Sequence, residues 1–289
     1  MKIVKILGGL GNQMFQYALF VALRQRFSQD EVLVDCSYFK TYRVHTGLEL
    51  DRVFGVELPQ ASFSQLLRVT WPVRSFKMSR AIRKLLPPRR TECLEARDYT
   101  FNSHVFDAGD MYYDGYWQNF KYFDDYRAGI LSLFQFKLAI NEKSAAILPE
   151  LSKPNSVSLH VRRGDYLKAK NYAGLCGVDY YKSAIEYMNA QVPTAAYYVF
   201  SDDIEWCRHE IAPMLGDRPI TYVDWNKGKD SPLDMMLMSH CSNNVIANSS
   251  FSWWAAYLNE NKGKIVCAPA KWTNTVVNCR FQLPDWILF

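Results

Sequence analysis

The chain has no apolar run approaching the length of a membrane span. Its opening run, Lys2 to Leu7, is too short for the core of a signal peptide before glycines interrupt it. A soluble protein, at most peripheral to a membrane, is the expectation. The seven cysteines are odd in number and dispersed, with no C-x-x-C pair. That argues against a disulfide framework or a zinc site and for free thiols in a reducing compartment. No Asp-x-Asp triplet occurs, which removes one common short motif for a divalent metal, and the Gly-Lys-Ser/Thr of a P-loop is missing too. There is no internal repeat and no low-complexity tract. Charged residues make up 22% and hydrophobic residues 49%, an ordinary globular balance that argues against disorder.

What is present is a chain of 289 residues, long enough for two compact lobes or one large α/β domain. The formal net charge of +5 is local. Residues 68–90 hold eight basic residues and no acidic one, so the rest of the chain is net negative. A nucleic-acid binder is suggested by that stretch alone and ranks last.

Residues 2–7 read as a buried strand, followed by a glycine loop, a helix from about Gln13 to Phe27, and a strand at 31–35. This is a βαβ opening. Residues 36–150 carry little clear periodicity. From Ser156 strands are expected at 156–161, 196–200, 219–223, 243–247 and 264–268. Helices are expected between them near 179–190, 203–214, 232–241 and 250–260. Such alternation predicts mostly parallel sheets, with ligands at the carboxyl ends of the strands. The Pro-containing segment 149–154 is the expected boundary between an N-terminal lobe, 1–150, and a C-terminal lobe, 151–289.

Four strand ends carry unusual residues. Gly8-Gly9-Leu10-Gly11-Asn12-Gln13 would let backbone approach a ligand at a helix N-terminus, or form no more than a tight turn. In His160-Val161-Arg162-Arg163-Gly164-Asp165-Tyr166, His160 and Arg162 share strand parity. An arginine there can grip a phosphate, or Asp165 can simply pin the loop to it. Ser201 and Asp202 follow the next strand and read as helix caps or ligand contacts. Asp234 looks like part of a capping box opened by Ser231. Asn248, Ser249, Ser250 and Phe251 join a strand to a helix whose N-terminus could cradle a diphosphate. Trp253 and Trp254 are expected to pack rather than stack on a sugar. Together these clusters suggest a nucleotide–diphosphate site, with Arg162 and helix N-termini supplying the positive charge in place of a metal.

GGLGNQMFQYA, HVRRGDY, FSDD and SHCSNNVIANSSFSWWAAYLN resemble, in order, the motifs of family 11 of the glycosyltransferases, the α-1,2-fucosyltransferases. HVRRGDY is shared with α-1,6- and protein O-fucosyltransferases. The resemblance implies a fold of two Rossmann-like lobes (GT-B type). GDP-fucose would sit on the C-terminal lobe and the acceptor on the N-terminal one. It implies inverting transfer to the 2-hydroxyl of a galactoside, with no metal and no cofactor besides the donor substrate. It gives Arg162 the diphosphate, His160 and Asn12 the donor or reacting centre, Asp165 the positioning of its loop and Asp234 the guanine edge. Ser249, Ser250 and Phe251 would line phosphates and base. Gly9, Gly11, Gln13, Ser201, Asp202 and Asn248 join them as substrate-binding candidates. The general base stays open among His160, an acidic residue and the phosphate itself.

The same resemblance points to a cytoplasmic bacterial enzyme of surface polysaccharide or O-antigen synthesis. Separately from the resemblance, residues 68–90 read first as a solvated loop-helix face or an acceptor groove, and second as a peripheral contact with an anionic membrane, where lipid-linked acceptors would lie. Competing readings are another fucosyl linkage, such as α-1,6, and a non-catalytic nucleotide-sugar-binding protein.

Overall fold

The structure is a computed structural model that describes residues 1–41, 45–71, 76–96, 98–275 and 281–289. It divides into two compact units, Met1–Lys137 and Leu138–Phe289. The division falls before the segment 149–154 because that segment is no linker. Pro149 lies inside a helix, Glu142–Leu151, capped by the Asn141 side chain. Asn141 Nδ2 and Ser144 Oγ both bond Asn226 Oδ1, at 2.7 and 3.2 Å, which ties the helix to the second unit.

The first unit carries an all-parallel sheet ordered β2-β1-β4-β3. Its strands are β1 (Lys2–Lys5), β2 (Val32–Asp35), β3 (Glu92–Leu94) and β4 (Met111–Asp114). Ile3, Leu33 and Tyr112 meet Leu66 and Val69, from the helix Phe63–Val69, in one apolar cluster. The two lysines of β1 are buried and partnered. Lys2 Nζ donates to the carbonyls of Asp107 and Gly109, and Lys5 pairs with Asp114 at 2.9 Å. The first helix runs Leu10–Arg26, so Leu10, Gly11 and Asn12 form its first turn instead of a loop. Gly9 enters it in an extended conformation as N-cap, and Arg24 and Arg26 end it where the helix dipole favours cations. It is buried all round from Gln13 to Leu23, so its glutamines must find partners inside the protein.

The second unit holds six parallel strands: β5 (Ser156–Val161), β6 (Ala196–Ser201), β7 (Ile220–Val223), β8 (Asn243–Val245), β9 (Val266–Ala268) and β10 (Ile287–Leu288). Their order is β7-β6-β5-β8-β9-β10. Counted from the unit's first strand this is 3-2-1-4-5-6, the Rossmann order, whose direction of winding reverses between β5 and β8. Helices Val178–Gln191, Pro232–His240 and Ser250–Leu258 form the crossovers. The crossover after β6 is irregular, with a π-turn at Cys207–Ile211 ahead of Pro213, which has no N–H to continue an α ladder. The core joins β5, β6, β8 and β9 to Tyr181, Ile185 and Met188 of the helix Val178–Gln191. Trp253 and Trp254 are fully buried, and Trp253 Nε1 donates to Phe281 O at 2.7 Å. Six cysteines are free thiols, and Cys279 lies outside the described residues.

Candidate functional site

In the second unit β8, β5 and β6 are neighbours, so three of the sequence motifs meet at adjacent carboxyl ends. The winding reverses between β5 and β8, which opens a crevice there. His160 is the penultimate residue of β5, and Arg162 follows the strand. The Arg162 guanidinium is held by two carboxylates: Nη2 donates to Asp165 at 2.6 Å and Nη1 pairs with Asp202 at 3.0 Å. A guanidinium has five N–H donors, so three remain for a ligand after its plane is fixed. Asp202 also accepts the backbone N–H of Arg163 at 2.9 Å. A Cβ on Gly164 would stand 2.6 Å from Asp202 Oδ2, so a side chain there would have to displace this carboxylate. Asp202 therefore shapes the arginine loop. The helix cap is neither Ser201 nor Asp202 but Asp203, which accepts from Trp206 N at 3.1 Å, while Ser201 Oγ accepts from Asp203 N at 2.9 Å.

His160 is buried, and its Nδ1 has no hydrogen-bond partner among the described residues. Burial first, and then the charge of Arg162, push its pKa down to about 4, against the pull of Asp202. The ring is therefore neutral at physiological pH. It lies 6.1 Å from the Phe251 ring. Tyr166 links two motifs, since its hydroxyl bonds the Ser249 side chain and its ring lies 5.5 Å from the Arg162 guanidinium. Ser249 is the N-cap of the helix Ser250–Leu258 and accepts from Phe251 N at 3.3 Å. Ser250 and Phe251 are half-buried at its first turn. Asn248 is buried, donates to Trp272 O and accepts from the Cys176 thiol, both at 3.3 Å, so its amide braces the loop.

Asp234 stands apart, on the first turn of the helix Pro232–His240, which packs against the helix Ser250–Leu258. The Ser231 side chain caps nothing, so the capping box is not formed. Instead Asn226 Nδ2 donates to Asp234 Oδ1 at 2.8 Å. Burial pushes Asp234 up to about 7, opposed by that bond.

The first unit has its own reversal of winding, between β1 and β4. Gly8, after β1, has φ +96°, a conformation that favours glycine, and a Cβ there would lie 3.0 Å from Asn12 Nδ2. Gly9 passes 3.6 Å from the His45 ring, measured from where its Cβ would be, and Gly11 is buried in the helix. Asn12 is half-buried, and its Oδ1 accepts from Gln118 Nε2 at 2.6 Å. Gln13 is fully buried and committed to the fold. It donates to the carbonyls of Gly8 and Gly47, both at 2.8 Å, and accepts from Glu49 N at 3.0 Å. Gln16 does the same between Leu7 N and Gly115 O. Both glutamines thus shape the loops around the crevice, and Gln13 presents no spare donor to a substrate. Sequence reasoning missed Gln118 and Tyr166. Tyr166 was within a quoted motif, whereas Gln118 lies in a stretch without periodicity.

Among the described residues no group of three or more His, Cys, Asp or Glu is arranged to hold a metal ion, and no helix is long and apolar enough to cross a membrane. The profile described as Glycosyl transferase family 11 matches residues 90–288. The chain is 33% identical to an alpha-1,2-colitosyltransferase of Escherichia coli, over 93% of this chain and 91% of that one. It is 32% identical to the O-antigen biosynthesis glycosyltransferase WbnK of Escherichia coli, over 97% of each. A galactoside alpha-(1,2)-fucosyltransferase 1 of Leontopithecus chrysomelas is 26% identical over 96% of this chain and 67% of that one.

Proposed function

The chain belongs to glycosyl transferase family 11, and from that premise we propose that it transfers L-fucose from GDP-fucose to the 2-hydroxyl of a terminal β-galactoside, inverting the anomeric centre without an essential metal. The observation that carries this reading is the Arg162 guanidinium, oriented by Asp165 and Asp202 at the winding reversal of a Rossmann sheet. As the glycosidic bond to GDP breaks, positive charge grows on the sugar and negative charge on the β-phosphate. An arginine whose plane is already fixed stabilises that growing charge without reorganising. In this reading the neutral His160 turns its unpartnered Nδ1 toward the donor, the first turn at Ser249–Phe251 flanks the phosphates, and Asp234 receives the N–H groups of guanine. Surface-polysaccharide or O-antigen synthesis on the cytoplasmic side of a membrane is the setting we favour, by likeness to WbnK.

The test is acceptor-dependent GDP release from GDP-fucose with lactose and EDTA present. Turnover that survives EDTA and collapses in Arg162→Ala supports the reading. GDP-fucose binding without turnover on lactose, N-acetyllactosamine or galacto-N-biose contradicts the acceptor and linkage. A second donor deserves the same assay because of the colitosyltransferase relative. Colitose is fucose without one ring hydroxyl, and preferential use of GDP-colitose would move the assignment to that sugar.

The basic stretch supports a membrane contact with anionic lipid. Exposed Leu67, Trp71, Met78, Leu85 and Leu86 lie in or beside it, with no acidic residue between positions 68 and 90. Arg89 clamps its base by donating to the carbonyls of Leu67, Arg68 and Thr70. Residues 72–75 of the stretch lie outside the described residues. Sedimentation with anionic vesicles at low salt, lost in Met78→Glu/Leu85→Glu, is the expected result. Absence of binding by the unaltered protein contradicts it.

A further inference from the structure

The reversal of winding in the first unit is lined differently from that in the second. Its strand ends are Gly8-Gly9 after β1, Glu95 after β3, and Gly115 to Gln118 after β4. The nearby cation, Lys5, is already paired with Asp114 at 2.9 Å. An amide pair, Asn12 and Gln118, stands at the crevice between β1 and β4, beside the Tyr116 ring at Gly8 and the His45 ring at Gly9. Gln118 Nε2 occupies Asn12 Oδ1, and Asn12 Nδ2 has no acceptor among the described residues. Amides suit a neutral, hydroxyl-rich ligand better than a phosphate.

The loop that carries Gln118 does not hold its own shape. Trp117 has φ +58°, a left-handed conformation that a bulky residue adopts only when its surroundings enforce it. Glu95 enforces it. Its Oε2 accepts from Tyr116 N at 2.7 Å, its Oε1 from Gln118 N at 3.1 Å, and the Trp117 N–H bonds it too. Gly115 completes the fit, since a Cβ there would stand 2.3 Å from Glu95 Cβ. A carboxylate can accept all three N–H groups, whereas a protonated acid turns one oxygen into a donor facing them.

We propose that Glu95 is a positioning residue for the sugar acceptor: ionised, it locks Tyr116–Gln118 so that Gln118 orients Asn12, whose free Nδ2 then donates to an acceptor hydroxyl. Burial pushes Glu95 up to about 7, and Asp114, itself paired with Lys5, adds to the rise against the three backbone N–H bonds. The folded protein therefore loses the ionised form as pH falls through about 7, and acceptor binding weakens there. This deepens the proposed function by naming what controls its acceptor side.

The test compares wild type, Glu95→Gln, Gln118→Ala and the double variant. Lactose binding is followed by ligand-observed NMR, which needs no donor, and GDP binding by calorimetry. Glu95→Gln is expected to weaken lactose binding about tenfold, to abolish its loss on acidification, and to leave GDP affinity within about twofold. Gln118→Ala, which keeps the backbone bonds of Glu95, should show the same weakening, and the double variant should add little to either. Unchanged lactose binding in both single variants, or equal losses of lactose and GDP binding, overturns the proposal. If the unaltered protein binds lactose but turns over neither GDP-fucose nor GDP-colitose, the donor reading fails and this one is still tested by the same titrations.

Discussion

The two winding reversals share a geometry and differ in charge. In the second unit an arginine sits between two carboxylates beside a neutral buried histidine. In the first, two amides meet over a glycine turn, and the half-buried Glu95 carboxyl holds the loop that carries one of them. Parallel sheets make such crevices wherever their order reverses, so topology alone assigns neither of them a ligand. The side chains divide the work. A fixed guanidinium is matched to phosphate oxygens, and amides to hydroxyls. The reading of a phosphate side and a sugar side rests on that contrast.

The sharpest way to break the contrast is to remove its charge. Arg162→Ala should lower turnover with GDP-fucose roughly 10²–10³-fold, the scale set by losing one fixed donor to developing charge, while lactose binding stays unchanged. Steady-state kinetics alongside NMR titration checks both halves. A smaller effect is expected from Gly164→Ala, whose methyl would press on Asp202 Oδ2 at 2.6 Å. Displacing Asp202 loosens Arg162, and about a tenfold drop in kcat with little change in acceptor KM is expected. An unchanged kcat would mean that the carboxylate gives way freely and does not set the arginine.

The smallest effect concerns Asp234, whose pKa is raised to about 7 by burial. If its ionised form receives guanine N–H groups, GDP affinity rises as pH increases through about 7, and the slope vanishes in Asp234→Asn. The stability consequence has the opposite sign. A carboxyl whose folded pKa lies above its unfolded value costs stability progressively as pH rises from about 4 to about 7, and in full above about 7. Asp234→Asn should therefore match or exceed the wild-type Tm at about pH 8 and gain nothing at about pH 2.5, well below the unfolded-state pKa, where the acid is protonated in both states. Calorimetric melting at the two pH values checks it.

Much of the second unit was legible because short runs rich in β-branched and aromatic residues recur there between longer helical stretches. SVSLHV and AYYVF can be neither amphipathic helix nor loop. The first unit was less so. β3 and β4 are three and four residues long, too short for a period to emerge, and β3 opens with a buried Glu92. Gly11 hid the start of the first helix, since glycine reads as loop even where an extended Gly9 already caps the turn. Pro149 suggested a linker but falls near the end of a helix. At the site, Arg162 and His160 were visible from strand parity. Asp202 read as a cap because its bonds to Arg162 and the Arg163 N–H cross between strands. Glu95 carried no local signal. Its partners lie 21 and 23 positions away, and only the folded loop makes them neighbours.

The central claim is that the second unit's crevice holds a diphosphate through Arg162. Calorimetric titration of wild type and Arg162→Ala with GDP and with GMP tests it most directly, because the two ligands differ by the one phosphate that Arg162 should grip. The account predicts that wild type prefers GDP by about tenfold or more and that the variant binds both alike. An Arg162→Ala protein that keeps the full preference for GDP would contradict it.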